Sequence, residues 1–151
     1  MNDKLQSIIR YLIRHYPNKN VLTKTRITKL VYLVDWKNIN LYNTQITNIK
    51  WYFDHYGPYV HDVLDVARKD ANLSVTPSIS NFGTIKYVLT AKNNVESLVY
   101  SDLSDRDILV IDSVIKETKD LTWSQFIDYI YSTEPIRRGN KYSYLDLMQY
   151  V

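Results

Sequence analysis

Cysteine is absent from this 151-residue chain. That excludes disulfides and thiolate chemistry and suits a reducing cytoplasm. Glycine (3 residues) and proline (4) are scarce, which leaves no material for long flexible linkers and little for a phosphate-cradling loop. No apolar run approaches the roughly 18 residues of a membrane span. In the first segment, MNDKLQSIIRYLIRHYP, Arg10 and Arg14 interrupt any signal-peptide core and an acidic Asp3 precedes it. A nucleophile elbow, a phosphate loop and a metalloprotease histidine pair are also missing. The expectation is a cytoplasmic protein that is not an enzyme, needs no cofactor and does not enter a membrane.

What remains is a globular composition. At 45% hydrophobic and 23% charged residues, the chain predicts one domain over 1–151, with a core in 1–132 and a basic tail in 136–151. The net charge of +3 permits nucleic-acid contact without demanding it. Fourteen tyrosines are the oddity. They supply apolar area with a polar tip, the combination enriched at protein interfaces, although a low-GC genome would favour the same codons.

Hydrophobic spacing predicts a first amphipathic helix carrying Leu5, Ile8, Ile9, Leu12 and Tyr16, and a second carrying Ile27, Leu30, Val31, Val34 and Leu41. The period then drops to two over residues 49–54, where Ile49, Trp51 and Phe53 alternate with polar neighbours. Gly57 suits a positive φ, and Pro58 suits the first turn of a third helix bearing Val60, Val63, Leu64, Ala67 and Ala71. Strands over 73–77 and 84–89 would join 49–54 in a three-stranded antiparallel sheet. Ser104 with Asp105 and Asp107, and Thr122 with Gln125, mark two further helix starts. Pro135 should end the last of these helices; residues 137–141 read as an exposed basic loop, and Tyr144, Leu147 and Met148 as a final helical turn. The fold class is therefore α+β: a mainly helical single domain with a small antiparallel sheet of about three strands.

Within residues 29–63 the sequence KLVYLVD, the Ile46-Thr47 step, the aromatic strand and Tyr56-Gly57-Pro58-Tyr59 follow one another, and Tyr87 to Thr90 supplies a later tyrosine-bearing strand that ends in threonine. In this order and spacing the segment resembles the Panacea domain, the SocA-like antitoxin domain of bacterial and phage toxin–antitoxin pairs. The likeness covers about three fifths of the chain. One departure is Asn43-Thr44, where such domains often carry glycine. The resemblance implies an antitoxin that neutralises a cognate toxin, usually encoded next door, by direct complex formation.

For partner contact the candidates are Tyr56 and Tyr59 at the turn, Tyr11 and Tyr16 on the first helix, and Arg137 and Arg138 in the tail. Tyr56 and Tyr59 also suit a packing role. Asp35, Trp51, Gly57 and Pro58 are assigned to structure. Asp35 lies on an apolar helix and, if buried, needs a tyrosine hydroxyl, Trp51 or the turn backbone as partner. His55, His61 and Asp65 could in principle share a metal, but the helix dipole and Arg68 or Lys69 already account for Asp62 and Asp65, so no metal site is expected. Lys19, Lys24, Arg26 and Lys29 form a basic cluster, and the helix and hairpin over 60–89 resemble a winged helix. Asp62, Asp65 and Asp70 would oppose phosphates there. Alternatives to the antitoxin reading are a DNA-binding autoregulator of its own operon, with operator DNA as partner, and a phage-encoded inhibitor of a host defence protein.

Overall fold

The computed structural model describes residues 3–79 and 81–151. Six α-helices, four short strands and three 3-10 turns follow in the order α1 (Asp3–His15), α2 (Lys24–Tyr42), β1 (Tyr52–Asp54), β2 (Gly57–Tyr59), α3 (Asp62–Lys69), β3 (Leu73–Ile79), β4 (Ile85–Ala91), α4 (Asp105–Thr118), α5 (Trp123–Ser132) and α6 (Glu134–Arg138). The 3-10 turns are Lys19–Val21, Val95–Ser97 and Leu147–Tyr150. This is the α+β, mainly helical architecture that the periodicity predicts.

Helix α2 is the axis of the fold. Every residue from Arg26 to Asp35 is buried, because α1, α3, α4, β2 and β4 all pack around it. Thr23 caps its start by accepting from the Arg26 N–H. At its end Asn43 takes the left-handed conformation at φ 57°, the C-terminal role that glycine fills most easily and asparagine next. The Asn43-Thr44 departure therefore leaves the helix stop intact. Leu41, read as part of the buried face, is exposed at the last turn.

Helix α1 buries more than one stripe, since Ser7, Tyr11 and Ile13 are buried together with Leu5, Ile8, Ile9, Leu12 and Tyr16. Its C-terminal carbonyls are closed by Lys19, whose Nζ donates to the oxygens of Ile13, Arg14 and Tyr16. Arg10 holds Asp70 through two bonds of 2.7 and 2.8 Å. Because the Asp70 side chain is fully buried, this pair ties α1 to the segment after α3. Helices α4 and α5 start at the capping boxes Ser104/Asp107 and Thr122/Gln125. Thr133 follows α5, and Pro135 then opens α6 instead of merely ending its predecessor.

The strands divide into two separate hairpins, not one three-stranded sheet. Both inner edges are already taken. β1 pairs with β2 on one side, and on the other the tail docks: Phe53 N–H donates to Ser143 O, Tyr142 N–H to Phe53 O, and Leu145 N–H to Trp51 O. β4 pairs with β3, and its free edge receives the chain before α2, with Leu89 N–H donating to Leu22 O. Pro58 sits in β2, four residues before α3 begins at Asp62, and not in a helical first turn. It opposes Phe53, which turns its own N–H and C=O to the tail, so the missing proline N–H costs no ladder bond. Helix α3 ends at Lys69, which leaves Ala71 exposed.

The tail is thus built into the fold. Ile136, Leu145 and Leu147 are buried, and Gly139 makes the return possible: a Cβ there would lie 2.3 Å from the Pro135 carbonyl oxygen and 2.7 Å from the Leu145 side chain. Among the described residues no helix is long and apolar enough to cross a membrane.

Candidate binding surface at the Gly-Pro turn

Asp35 is fully buried and anchors the segment that leads into β1. Thr47 donates its N–H (3.0 Å) and hydroxyl (2.5 Å) to the carboxylate, and Trp51 donates its indole N–H (2.9 Å). Trp51 in turn meets Tyr32 edge to face, with ring centroids 5.6 Å apart. Of the partners predicted for Asp35 the structure supplies Trp51; Thr47 takes the place foreseen for a tyrosine hydroxyl or the turn backbone. Burial pushes the Asp35 carboxyl up to about 6, and the bonds from Thr47 and Trp51 resist the rise.

From this anchor β1 runs out to the turn, where Gly57 adopts φ 106°. A left-handed residue at this position needs glycine on conformational grounds. The turn presents Tyr56, 74% exposed, with Tyr59 half-buried beside it. The docked tail then adds Tyr142 and Tyr144, 59% and 73% exposed. Tyr144 meets Tyr52 edge to face at 5.2 Å, His55 packs on Tyr56 at 4.5 Å and bonds the Tyr142 hydroxyl at 3.0 Å, and Tyr59 shares a 3.1 Å hydrogen bond with His61. Five tyrosines from two segments some ninety positions apart in sequence thereby form one surface. Three of them, Tyr52, Tyr59 and Tyr144, line a cleft of about 590 Å³ together with Asn48, Lys50, Asp54, Val60, His61 and Asp62. Rigid aromatic bodies with polar tips, mixed with both signs of charge, make a surface that anchors a protein partner well.

The other predicted contact residues lie elsewhere. Tyr11 and Tyr16 are 5% and 1% exposed, so they are core residues and not surface anchors. Their hydroxyls reach α4, Tyr11 donating to Asp112 and Tyr16 bonding Thr118. Tyr32 does the same toward Thr133, and Tyr129 toward Glu117. A tyrosine on an apolar face satisfies a core as well as an interface, provided its hydroxyl finds a partner. Arg137 and Arg138 are exposed on α6, where Arg137 grips Glu134 at 2.7 Å and Arg138 approaches it at 3.6 Å.

The basic cluster does not form one face open to phosphates. Lys19 closes α1, Arg26 lies buried over the Phe126 and Trp123 rings at 4.8 and 5.3 Å, and Lys24 sits 5.6 Å from the Tyr59 ring. Lys29 is 3% exposed, and its ammonium has neither hydrogen bond nor ion pair among the described residues. Burial pulls its pKa down to about 8, with the charge of Asp54 resisting. Asp70, expected to face phosphates, is occupied by Arg10. His55 and His61 bond different tyrosines, and no group of three or more His, Cys, Asp or Glu among the described residues is placed to hold a metal ion.

Sequence reasoning missed Tyr142, Tyr144 and Tyr52 as members of this surface. The signal was present: Tyr142 and Tyr144 alternate with Ser143 and Leu145, a strand period shortly after a glycine.

Residues 27–135 match the family model described as antitoxin SocA-like, Panacea domain. No curated protein and no solved structure matches the chain. The chain belongs to the SocA-like, Panacea-domain antitoxin family.

Proposed function

We propose, from that membership, that the chain is an antitoxin that neutralises a cognate toxin, encoded by a neighbouring gene, through direct protein–protein binding in the cytoplasm and without catalysis. The family match over residues 27–135 carries this reading. The tyrosine surface at the Gly-Pro turn supports its mode. Tyr59 and Tyr144 act as anchors lining the cleft and Tyr56 as a third, exposed at the turn, while Arg137 and Arg138 contribute rim charges that steer and select the partner.

Co-expression tests it. The product of the adjacent reading frame should arrest growth alone, and growth should return when this chain is supplied and forms a complex with it. A neighbour that is harmless by itself, or a toxic one that this chain neither binds nor relieves, would sink the reading.

A further inference from the structure

The β3–β4 hairpin is anchored at one end only. Leu73 and Leu89 at its base are buried, but exposure rises along both strands until Ile79, Phe82 and Ile85 at the tip are 73%, 94% and 58% exposed. Ile79 and Ile85 are direct cross-strand partners, so their side chains share a face. Together the three side chains offer on the order of 400 Å² of apolar surface, in the range of the largest patch on a typical monomer, which is often functional.

Charge gives the chemistry of what it meets. Residues 71–85 contain no Asp, Glu, Lys or Arg, although such residues make up 23% of the chain. Depletion of charge marks the core of an interface, where a desolvated ion would be costly, and not its rim. A second copy of the chain is a poorer occupant, because the tip offers only about half of the roughly 800 Å² per partner that a stable dimer requires.

We infer that the hairpin tip is a second contact, separate from the tyrosine surface, and that Phe82 with Ile79 and Ile85 plugs an uncharged apolar pocket on the toxin. This rests on the antitoxin reading. The edge beside the tip is poorly suited to simple strand addition, since Pro77 within β3 has no N–H to offer. Recognition therefore works through side chains and not by backbone pairing.

The test uses the full chain, its Phe82→Ser and Ile79→Thr/Ile85→Thr variants, and the purified product of the adjacent reading frame, with affinity measured by calorimetry and relief by growth. Fully burying a phenylalanine corresponds to roughly a 10- to 100-fold change in affinity. Phe82→Ser should weaken binding by that factor with an unchanged melting temperature, and the double variant should do likewise. If the unsubstituted chain binds and both folded variants bind equally well, the hairpin inference fails while the antitoxin reading stands. If the unsubstituted chain neither binds nor relieves, both fail. Concentration-dependent self-association that Phe82→Ser abolishes would assign the tip to a second copy and also overturn the inference.

Discussion

Asp35→Asn separates charge from shape at the buried carboxylate of α2. In the folded protein the group titrates at about 6, against 3.8 for an ordinary aspartate, because burial disfavours the ionised form more than Thr47 and Trp51 favour it. Below pH 3.8 both states carry the proton. Between about pH 4 and 6 only the folded state holds it, so the stability linked to Asp35 is complete at low pH and is lost as pH rises through 6. A shift of about two units corresponds to about 3 kcal/mol. Asparagine keeps one acceptor oxygen but turns its amide toward donors, stranding a buried N–H at a cost of about 1–3 kcal/mol that does not vary with pH.

The stability difference between wild type and Asp35→Asn should therefore favour wild type most near pH 4 and shrink by about 3 kcal/mol by pH 7. Urea denaturation followed by tryptophan fluorescence at intervals from pH 4 to 7.5 measures it. Asp70, Asp107 and Glu117, held below ordinary carboxylate values despite burial by partners that include Arg10, Lys4 and Lys37, lose stability in acid with the opposite sign. That loss is common to both proteins and cancels in the difference. A flat difference curve would refute a raised Asp35 carboxyl. One that grows with pH would show that the hydrogen bonds outweigh burial.

Four further substitutions probe the scaffold and the surface. Lys29→Met removes the ammonium of a largely buried side chain whose depressed pKa makes it destabilising below about pH 8, so the variant should be about 1–2 kcal/mol more stable at pH 7 by denaturation, with the gain vanishing toward pH 10.5; a loss at pH 7 would contradict this. Gly139→Ala forces a methyl against the Pro135 carbonyl and Leu145, and should cost about 1–3 kcal/mol while stripping hydrogen-exchange protection from the Tyr142 and Leu145 amides; retained protection would show that the tail return tolerates a Cβ. Tyr56→Ala and Tyr144→Ala, both at exposed positions, should leave the melting temperature within about 2 °C and each weaken toxin binding roughly 10-fold or more in calorimetry; unchanged affinity in both would move the toxin contact away from the turn.

The starts of α4 and α5 were legible because capping is local chemistry, whereas that of α3, expected at Pro58, was not. Ser104 caps α4 and Thr122 with Gln125 boxes α5 where the sequence places them, and Asp107, expected only to suit the dipole, completes a second box with Ser104. The burial of Asp35 and its bond to Trp51 were also readable, since an acid on an otherwise apolar helix must find donors. What escaped depends on pairing between distant segments. Nothing within 49–54 or 73–89 reveals that the edge of β1 belongs to residues 142–145 and that of β4 to residues 22–23, so one sheet and two hairpins look alike in sequence. Arg26 and Lys29 misled for a related reason: a long aliphatic stem lets a cation be buried in a helix surrounded on every side, and composition alone reads it as surface.

The tail's docking makes the tyrosine surface a tertiary object, and this governs how it can be tested. Trp51, at the base of that surface, bonds Asp35 through its side chain and Leu145 through its carbonyl, so the anchor of α2 and the position of Tyr144 share one residue. Removing the chain after Arg138 would strip the outer edge of β1 and uncover Phe53, so lost binding would report lost structure as much as lost contact. Shortening Tyr56, Tyr142 or Tyr144 trims exposed rings without touching the backbone bonds from Tyr142, Ser143 and Leu145 to β1. The surface can therefore vary at those three positions while the scaffold holds. That separation is what a fold needs if it is to pair with different proteins, because most surface substitutions away from caps, cavities and buried pairs change stability by about 0.5 kcal/mol or less.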